Sequence, residues 1–213
     1  MVAAPGRSAA ADLPYDQRIS LRKLTYFVGM SIDGFIAAPD GTHDFYPVSE
    51  SLVKDFFIGE YPECLPTHVR QHLGVDDLEN RHFDTMLQGR ATYDAALEAG
   101  ITSPYKHLRQ YVVSRSVDKA IDPEVEVVSG DVAAKVRELK QEESGLGIYL
   151  AGGANLAAQL MEEIDELVLK VYPIVVGSGV PVFSAEFRVF DFELESTRSF
   201  DNGTLVLTYS KKR

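Results

Sequence analysis

The chain has 213 residues, with 21 Lys plus Arg against 32 Asp plus Glu, and a formal net charge of −11. That acidity argues against broad nucleic-acid or anionic-membrane binding, and no apolar run approaches the roughly 18–20 residues that a membrane helix needs. The one cysteine, Cys64, excludes an internal disulfide and suits a reducing cytoplasm.

Residues 1–20 are rich in Ala and polar residues, carry Pro5 and Pro14, and lack the apolar stretch of a secretory signal. They read as a loose N-terminal tail or a partner-binding arm. Residues 21–213 form one domain, long enough to bury a proper core. The stretch 23–30 carries Leu24, Tyr26, Phe27 and Val28 and reads as a first strand. A loop with several turn signals follows over 31–41. Ser49 is placed to cap a helix over 49–59, where Leu52, Val53, Phe56 and Phe57 have helical spacing. Residues 60–80, interrupted by Pro62 and Pro66, fit no firm element and look like an insertion or an enlarged lid over the substrate side.

A buried strand is expected over 83–87, then a turn and a short helix through Leu97. Strands follow over 110–114 and 125–128. The stretch 131–143 is a helix with Val132, Val136 and Leu139 on one face. A strand over 147–151 runs into Gly152-Gly153 and a helix over about 153–163, with Leu156 and Leu160 inward. The almost wholly apolar stretch 166–176 reads as a strand buried on both faces. Phe190, Phe192 and Leu194, then Leu205, Leu207 and Tyr209, alternate with polar residues around Asp201-Asn202-Gly203, the signature of an antiparallel hairpin. The order predicts an α/β fold: a mostly parallel sheet, helices on both faces and a C-terminal antiparallel hairpin at one edge.

Ligands in such sheets sit beyond the carboxyl ends of the strands. Three loops fall there. Gly152-Gly153 opens a helix whose first N–H groups lack intrahelical partners, a seat for phosphate or merely a tight turn. Gly89-Arg90-Ala91-Thr92 adds a guanidinium and a hydroxyl, and Ser114-Arg115-Ser116 adds a second guanidinium with two hydroxyls. Each Arg alone is equally at home as a solvated surface residue. Together they match a ligand with two phosphate centres, such as NADPH. Gly177-Ser178-Gly179 precedes Pro181 and a strand, so it is a chain reversal and no dinucleotide fingerprint.

Five segments occur in the order found in the dihydrofolate reductase-like superfamily, in the branch of the riboflavin-biosynthesis reductase (the RibD C-terminal domain). They are Met30-Ser31-Ile32-Asp33-Gly34-Phe35-Ile36-Ala37, Leu87-Gln88-Gly89-Arg90-Ala91-Thr92-Tyr93, Val113-Ser114-Arg115-Ser116, Ala151-Gly152-Gly153-Ala154-Asn155-Leu156, and the stretch from Pro173 to Phe183. The chain resembles that branch over about residues 23–210. The resemblance implies a three-layer α/β/α fold, NADPH as cofactor, a small-molecule substrate and a homodimer. It implies cofactor contacts at Gly89, Arg90, Thr92, Ser114, Arg115, Gly152, Gly153, Ala154, Asn155 and Leu156, with Ile36 and Ala37 near the nicotinamide. The chain has no deaminase zinc signature, and Gln88 stands where an apolar residue is usual.

The implied activity is reduction of a small heterocyclic or imine substrate, resembling that of 5-amino-6-(5-phosphoribosylamino)uracil reductase. A dihydrofolate-type or xenobiotic reductase and a non-catalytic NADP-binding dimer are the alternatives. Hydride delivery to C=N is helped by a nearby acid. Asp33 and Glu50 are the two candidates; loop capping by Asp33 and dipole complementation by Glu50 are their structural alternatives. His43, Asp44 and Phe45 fall near the same pocket. Cys64, His68 and His72 are spaced by four, with Asp76 continuing the series, but the prolines break the helix that would align them, and no metal site is assigned.

Overall fold

Strand β1, Leu24–Ser31, is the axis of the fold, with its first five residues buried. It lies between two parallel neighbours, β6 (Gly147–Gly152) and β7 (Glu166–Tyr172). Apolar residues on both faces are therefore hidden: Tyr26 and Val28 pack on one side and Phe27 on the other. This computed structural model describes residues 21–116 and 122–212. The expected tail over 1–20 lies outside the described residues.

The other strands are β2 (Phe35–Ala37), β3 (Phe83–Gly89), β4 (Arg109–Val113), β5 (Val125–Val128), β8 (Val180–Pro181), β9 (Phe192–Ser199) and β10 (Leu205–Lys211). The main sheet has eight strands in the order β5-β4-β3-β6-β1-β7-β10-β9, and β2 pairs with β8 apart from it. Pairing is parallel from β5 through β7; β10 is antiparallel to both β7 and β9. The mostly parallel sheet with its antiparallel C-terminal hairpin is the expected one. Gly203, at φ +83°, makes the hairpin turn.

The helices are α1 (Thr67–Leu73), α2 (Arg90–Glu98), α3 (Val132–Lys140) and α4 (Ala154–Gln159). Leu156 and Leu160, with Val132, Val136 and Leu139 of α3, form one core against β1, β3 and β6. The Asp131 side chain accepts from the Ala134 N–H and starts α3. On the opposite face, Leu52 and Phe56 pack on Phe27, Tyr149 and Val168. Tyr93 of α2 packs on Val112 and Val125 on that side. These three layers match the predicted architecture.

Several boundaries differ from the sequence expectation. The helix expected over 49–59 is a π-helical segment at Leu52–Ile58, although Ser49 Oγ does accept from the Leu52 N–H at 3.2 Å. Helix α4 stops at Gln159 and α3 at Lys140. Strand β7 ends at Tyr172 because Pro173 has no N–H for the ladder. In β10 the buried residue is Val206, while Leu205 remains 38 % exposed.

The expectation of a lid over 60–80 is overturned. Pro62–Cys64 is a single 3₁₀ turn, and Glu63 is fully buried with Oε1 accepting from the N–H groups of His82 (2.6 Å) and Phe83 (3.0 Å) at the start of β3. The Thr67 N–H donates to Pro104 O, and the Lys106 N–H donates to Thr67 Oγ1. The insertion therefore covers the amino ends of β3 and β4, the edge opposite the carboxyl-end loops. Cys64 is buried in that turn and precedes α1, so it shares no helical face with His68 and His72.

Candidate active site

Strands β4, β3 and β6 are consecutive neighbours, and Gly89 pairs in register with Val113 while Gln88 pairs with Gly152. The loops that follow them therefore lie side by side at one edge. A Cβ on Gly89 would stand 3.5 Å from Gly152 O and from Gly153 N. A Cβ on Gly153 would stand 4.0 Å from Thr92 Oγ1. Gly152 has φ +99°, and its Cβ would meet the Tyr26 ring at 3.4 Å. That backbone conformation favours glycine, while the ring lies at ordinary contact distance. The Tyr26 hydroxyl is pinned by donation to Val182 O at 3.0 Å, which fixes the floor below the Gly-Gly turn. The Gly152–Gly153 peptide is cis.

Ala154 and Asn155 open α4, where the first N–H groups have no partner one turn back. Ala154 and Leu156 are buried, whereas Asn155 is exposed. Arg90 Nε donates to Asp94 at 2.5 Å within α2, so this guanidinium is held across one helical turn. Arg115 is exposed and has no ion pair among the described residues. Ser114 is buried, and its Oγ accepts from the Ser116 N–H at 3.3 Å. Glycine backbone, hydroxyls and two guanidiniums share one edge, a donor set suited to phosphate oxygens.

The loop after β1 flanks this edge. Ile36 and Ala37 lie in β2, which β8 holds. Asp33 is the anchor of that region: its carboxylate accepts from Gly177 N at 2.7 Å and from Val176 N at 3.2 Å. Bonds from Ser31 and from those backbone groups hold its carboxyl below the usual range. An exposed carboxylate kept ionised in this way ties one loop to another, with partners 143 and 144 residues away, a different task from capping its own loop. Glu50 is exposed just before the π-helical segment. Neither carboxylate is buried beside an acceptor, so the geometry itself gives neither the role of acid.

Residues that sequence reasoning missed lie on the sheet face under the π-helical segment. Tyr46 packs at a tilt of 32° on Tyr172 with centroids 4.6 Å apart and donates to Phe35 O at 2.7 Å. Burial, helped by the Asp33 charge, pushes its hydroxyl up to about 12. Lys170 is buried in β7, and the side-chain amide of Gln88, 1 % exposed, has an unpartnered Nε2. The available signal was polarity inside otherwise apolar strands. A second cleft of about 410 Å³ opens at the amino edge beside Arg22, Lys23, Tyr61, His82 and Glu166. There Arg22 is paired with Asp84 and Glu142, and Lys23 with Glu166.

Together the sheet order and the glycine-lined edge define a dihydrofolate reductase-like α/β protein. Residues 22–206 match the family model of the RibD C-terminal domain, and the chain belongs to that family. It is 32 % identical over 181 residues to the uncharacterized protein YwjB of Bacillus subtilis (strain 168), covering 84 % of this chain and 92 % of that one. Among solved structures, a "Putative riboflavin biosynthesis protein" from Shewanella sp. PV-4 superposes with TM-score 0.67 at 21 % identity, over 90 % of this chain and 99 % of that one. Dihydrofolate reductase from Enterococcus faecalis, complexed with NADP(H), superposes with TM-score 0.60 at 14 % identity, over 90 % of this chain and 97 % of that one. These two likenesses show the fold.

Proposed function

We propose that the protein is an NADPH-dependent reductase of a small heterocyclic or imine substrate. The observation that carries the reading is the side-by-side placement of the loops after β4, β3 and β6, where Gly89 and Thr92 lie against the Gly152-Gly153 turn. Glycine backbone there lets a pyrophosphate approach closely. Arg90, Arg115, Ser114 and Thr92 supply donors for phosphate oxygens, with Ala154, Asn155 and Leu156 contributing the helix opening. Ile36 and Ala37 border the nicotinamide end. The cofactor supplies a hydride; the chain's residues bind it, orient it and shut water from the face beneath Tyr46. Family membership supports a reductase, and the Shewanella protein's name supports a ring of the riboflavin pathway, such as a phosphoribosylamino-uracil.

A homodimer belongs to the same reading. Strand β9 ends the sheet, and Leu194 (52 % exposed) and Leu205 (38 %) leave an apolar surface on the hairpin. Cytoplasmic placement fits the cysteine count, and among the described residues no helix is long and apolar enough to cross a membrane.

Calorimetric titration tests the cofactor reading. NADPH is expected to bind more tightly than NADH, and Arg90→Ala or Arg115→Ala to erase that preference by weakening NADPH about tenfold. Equal losses for both cofactors would remove the 2′-phosphate argument. Binding without oxidation toward any uracil, pteridine or imine substrate would favour a non-catalytic dimer.

A further inference from the structure

Lys170 stands in the middle of β7, which is otherwise apolar between Leu167 and Val171, and is only 7 % exposed. It pairs with Gly29 of β1 and Val206 of β10. Its stem passes through space that Gly29 leaves open: a Cβ there would sit 3.7 Å from Lys170 Cε and 2.9 Å from the Tyr172 ring. Its Nζ lies 3.7 Å from the Phe27 ring centroid and 5.6 Å from that of Phe57. Among the described residues it has neither a hydrogen-bond acceptor nor an ion-pair partner. Methionine or leucine would fill the same volume without desolvating an amine. A buried cationic side chain with no acceptor marks a place where an acceptor arrives.

Position says which acceptor. Lys170 is one alternation step from Tyr172, the last residue of β7, and lies on the side of β1 away from the three phosphate-type loops. The fully buried Thr204, just before β10, has an unpartnered Oγ1, and strand alternation puts it on the same face. The rings of Phe27 and Phe57 face Nζ, and the Tyr172 ring, which crowds Gly29 beside the Lys170 stem, contacts Tyr46. Flat aromatic walls with a cationic donor suit a flat ring that carries oxygen.

Resting on the reductase reading, we propose that Lys170 recognises the substrate by donating to an oxo or enolate oxygen of a planar heterocycle held against these rings. Its four-carbon stem lets Nζ swing from the Phe27 face toward that oxygen. The same cation repels rings that take up a proton at a ring nitrogen, so the site selects oxo-pyrimidine-type rings against diaminopyrimidine-type rings. Burial pushes the amine down to about 7, so a modest gain from pairing is enough to charge it.

The test uses two probes of one size: barbiturate, an anionic trioxo ring, and 2,4-diaminopyrimidine. Each is titrated by ligand-observed NMR into the full-length wild type and Lys170→Met, with NADPH binding measured in parallel. The wild type is expected to bind barbiturate in preference, and Lys170→Met to lose about tenfold or more of that affinity while gaining thermal stability. Thermal unfolding separately reports whether the variant is folded. Equal barbiturate affinity in both proteins, a wild-type preference for the diamine, or no barbiturate binding alongside intact NADPH binding overturns the proposal. Loss of NADPH binding by the wild type overturns the reductase reading itself.

Discussion

Gly152 holds a left-handed backbone at the turn between β6 and α4. With φ +99° and Tyr26 at 3.4 Å from the absent Cβ, Gly152→Ala is expected to cost about 2 kcal/mol in urea unfolding. It should also weaken NADPH. Lys170 makes an opposite prediction. The folded state moves its amine from 10.5 to about 7 by burial, so folding favours the neutral form. The penalty is fully present below pH 7 and fades as pH climbs toward the unfolded value. Lys170→Met should therefore raise the melting temperature by several degrees at pH 7, with the gain shrinking toward pH 10. Cys64 is the ionisable group whose charge Lys170 feels, and burial pushes that thiol up, away from ionisation. Phe27 and Gly29 of β1, Val206 of β10 and Phe57 of the π-helical segment carry no charge. A constant difference across pH 7–10 would contradict this account.

At the scale of elements, the insertion over 60–80 is fastened by one carboxylate. Glu63→Ala leaves the part-buried N–H of His82 and the buried N–H of Phe83, at the start of β3, without their acceptor and should cost about 2–4 kcal/mol by urea titration. NADPH affinity should hold, because the insertion covers the opposite edge of the sheet. A large fall in affinity with little loss of stability would restore the insertion to the substrate side. This segment also shows where the sequence became hard to read. Its placement depends on bonds about twenty residues away, from Glu63 to His82 and Phe83, and local pattern carries no trace of them. The strands were readable because apolar residues line both faces of β1 and β6, and the hairpin because Asn202-Gly203 supplies its turn. The carboxyl-end loops were readable because each follows a plain strand. Lys170 escaped notice because the apolar character of its strand dominated the reading of 166–176. Asp33 drew attention by type alone, whereas its role depends on Val176 and Gly177, 143 and 144 residues along the chain.

At the scale of the whole molecule, the charge of −11 makes local cations prominent, and Leu194 and Leu205, exposed on an otherwise largely polar hairpin edge, are where the proposed homodimer would meet. Replacing Leu194 and Leu205 by Glu should shift sedimentation from dimer to monomer; a wild type that sediments as a monomer at micromolar concentration would contradict the dimer. The central claim is that loops from β4, β3 and β6 act as one seat for a dinucleotide. Hydrogen–deuterium exchange with and without saturating NADPH tests it most directly. The account predicts simultaneous protection of 89–92, 114–116 and 152–156, with the amino-edge insertion over 60–80 unchanged. Exchange that is unaltered by NADPH, or protection confined to the amino edge, would contradict it.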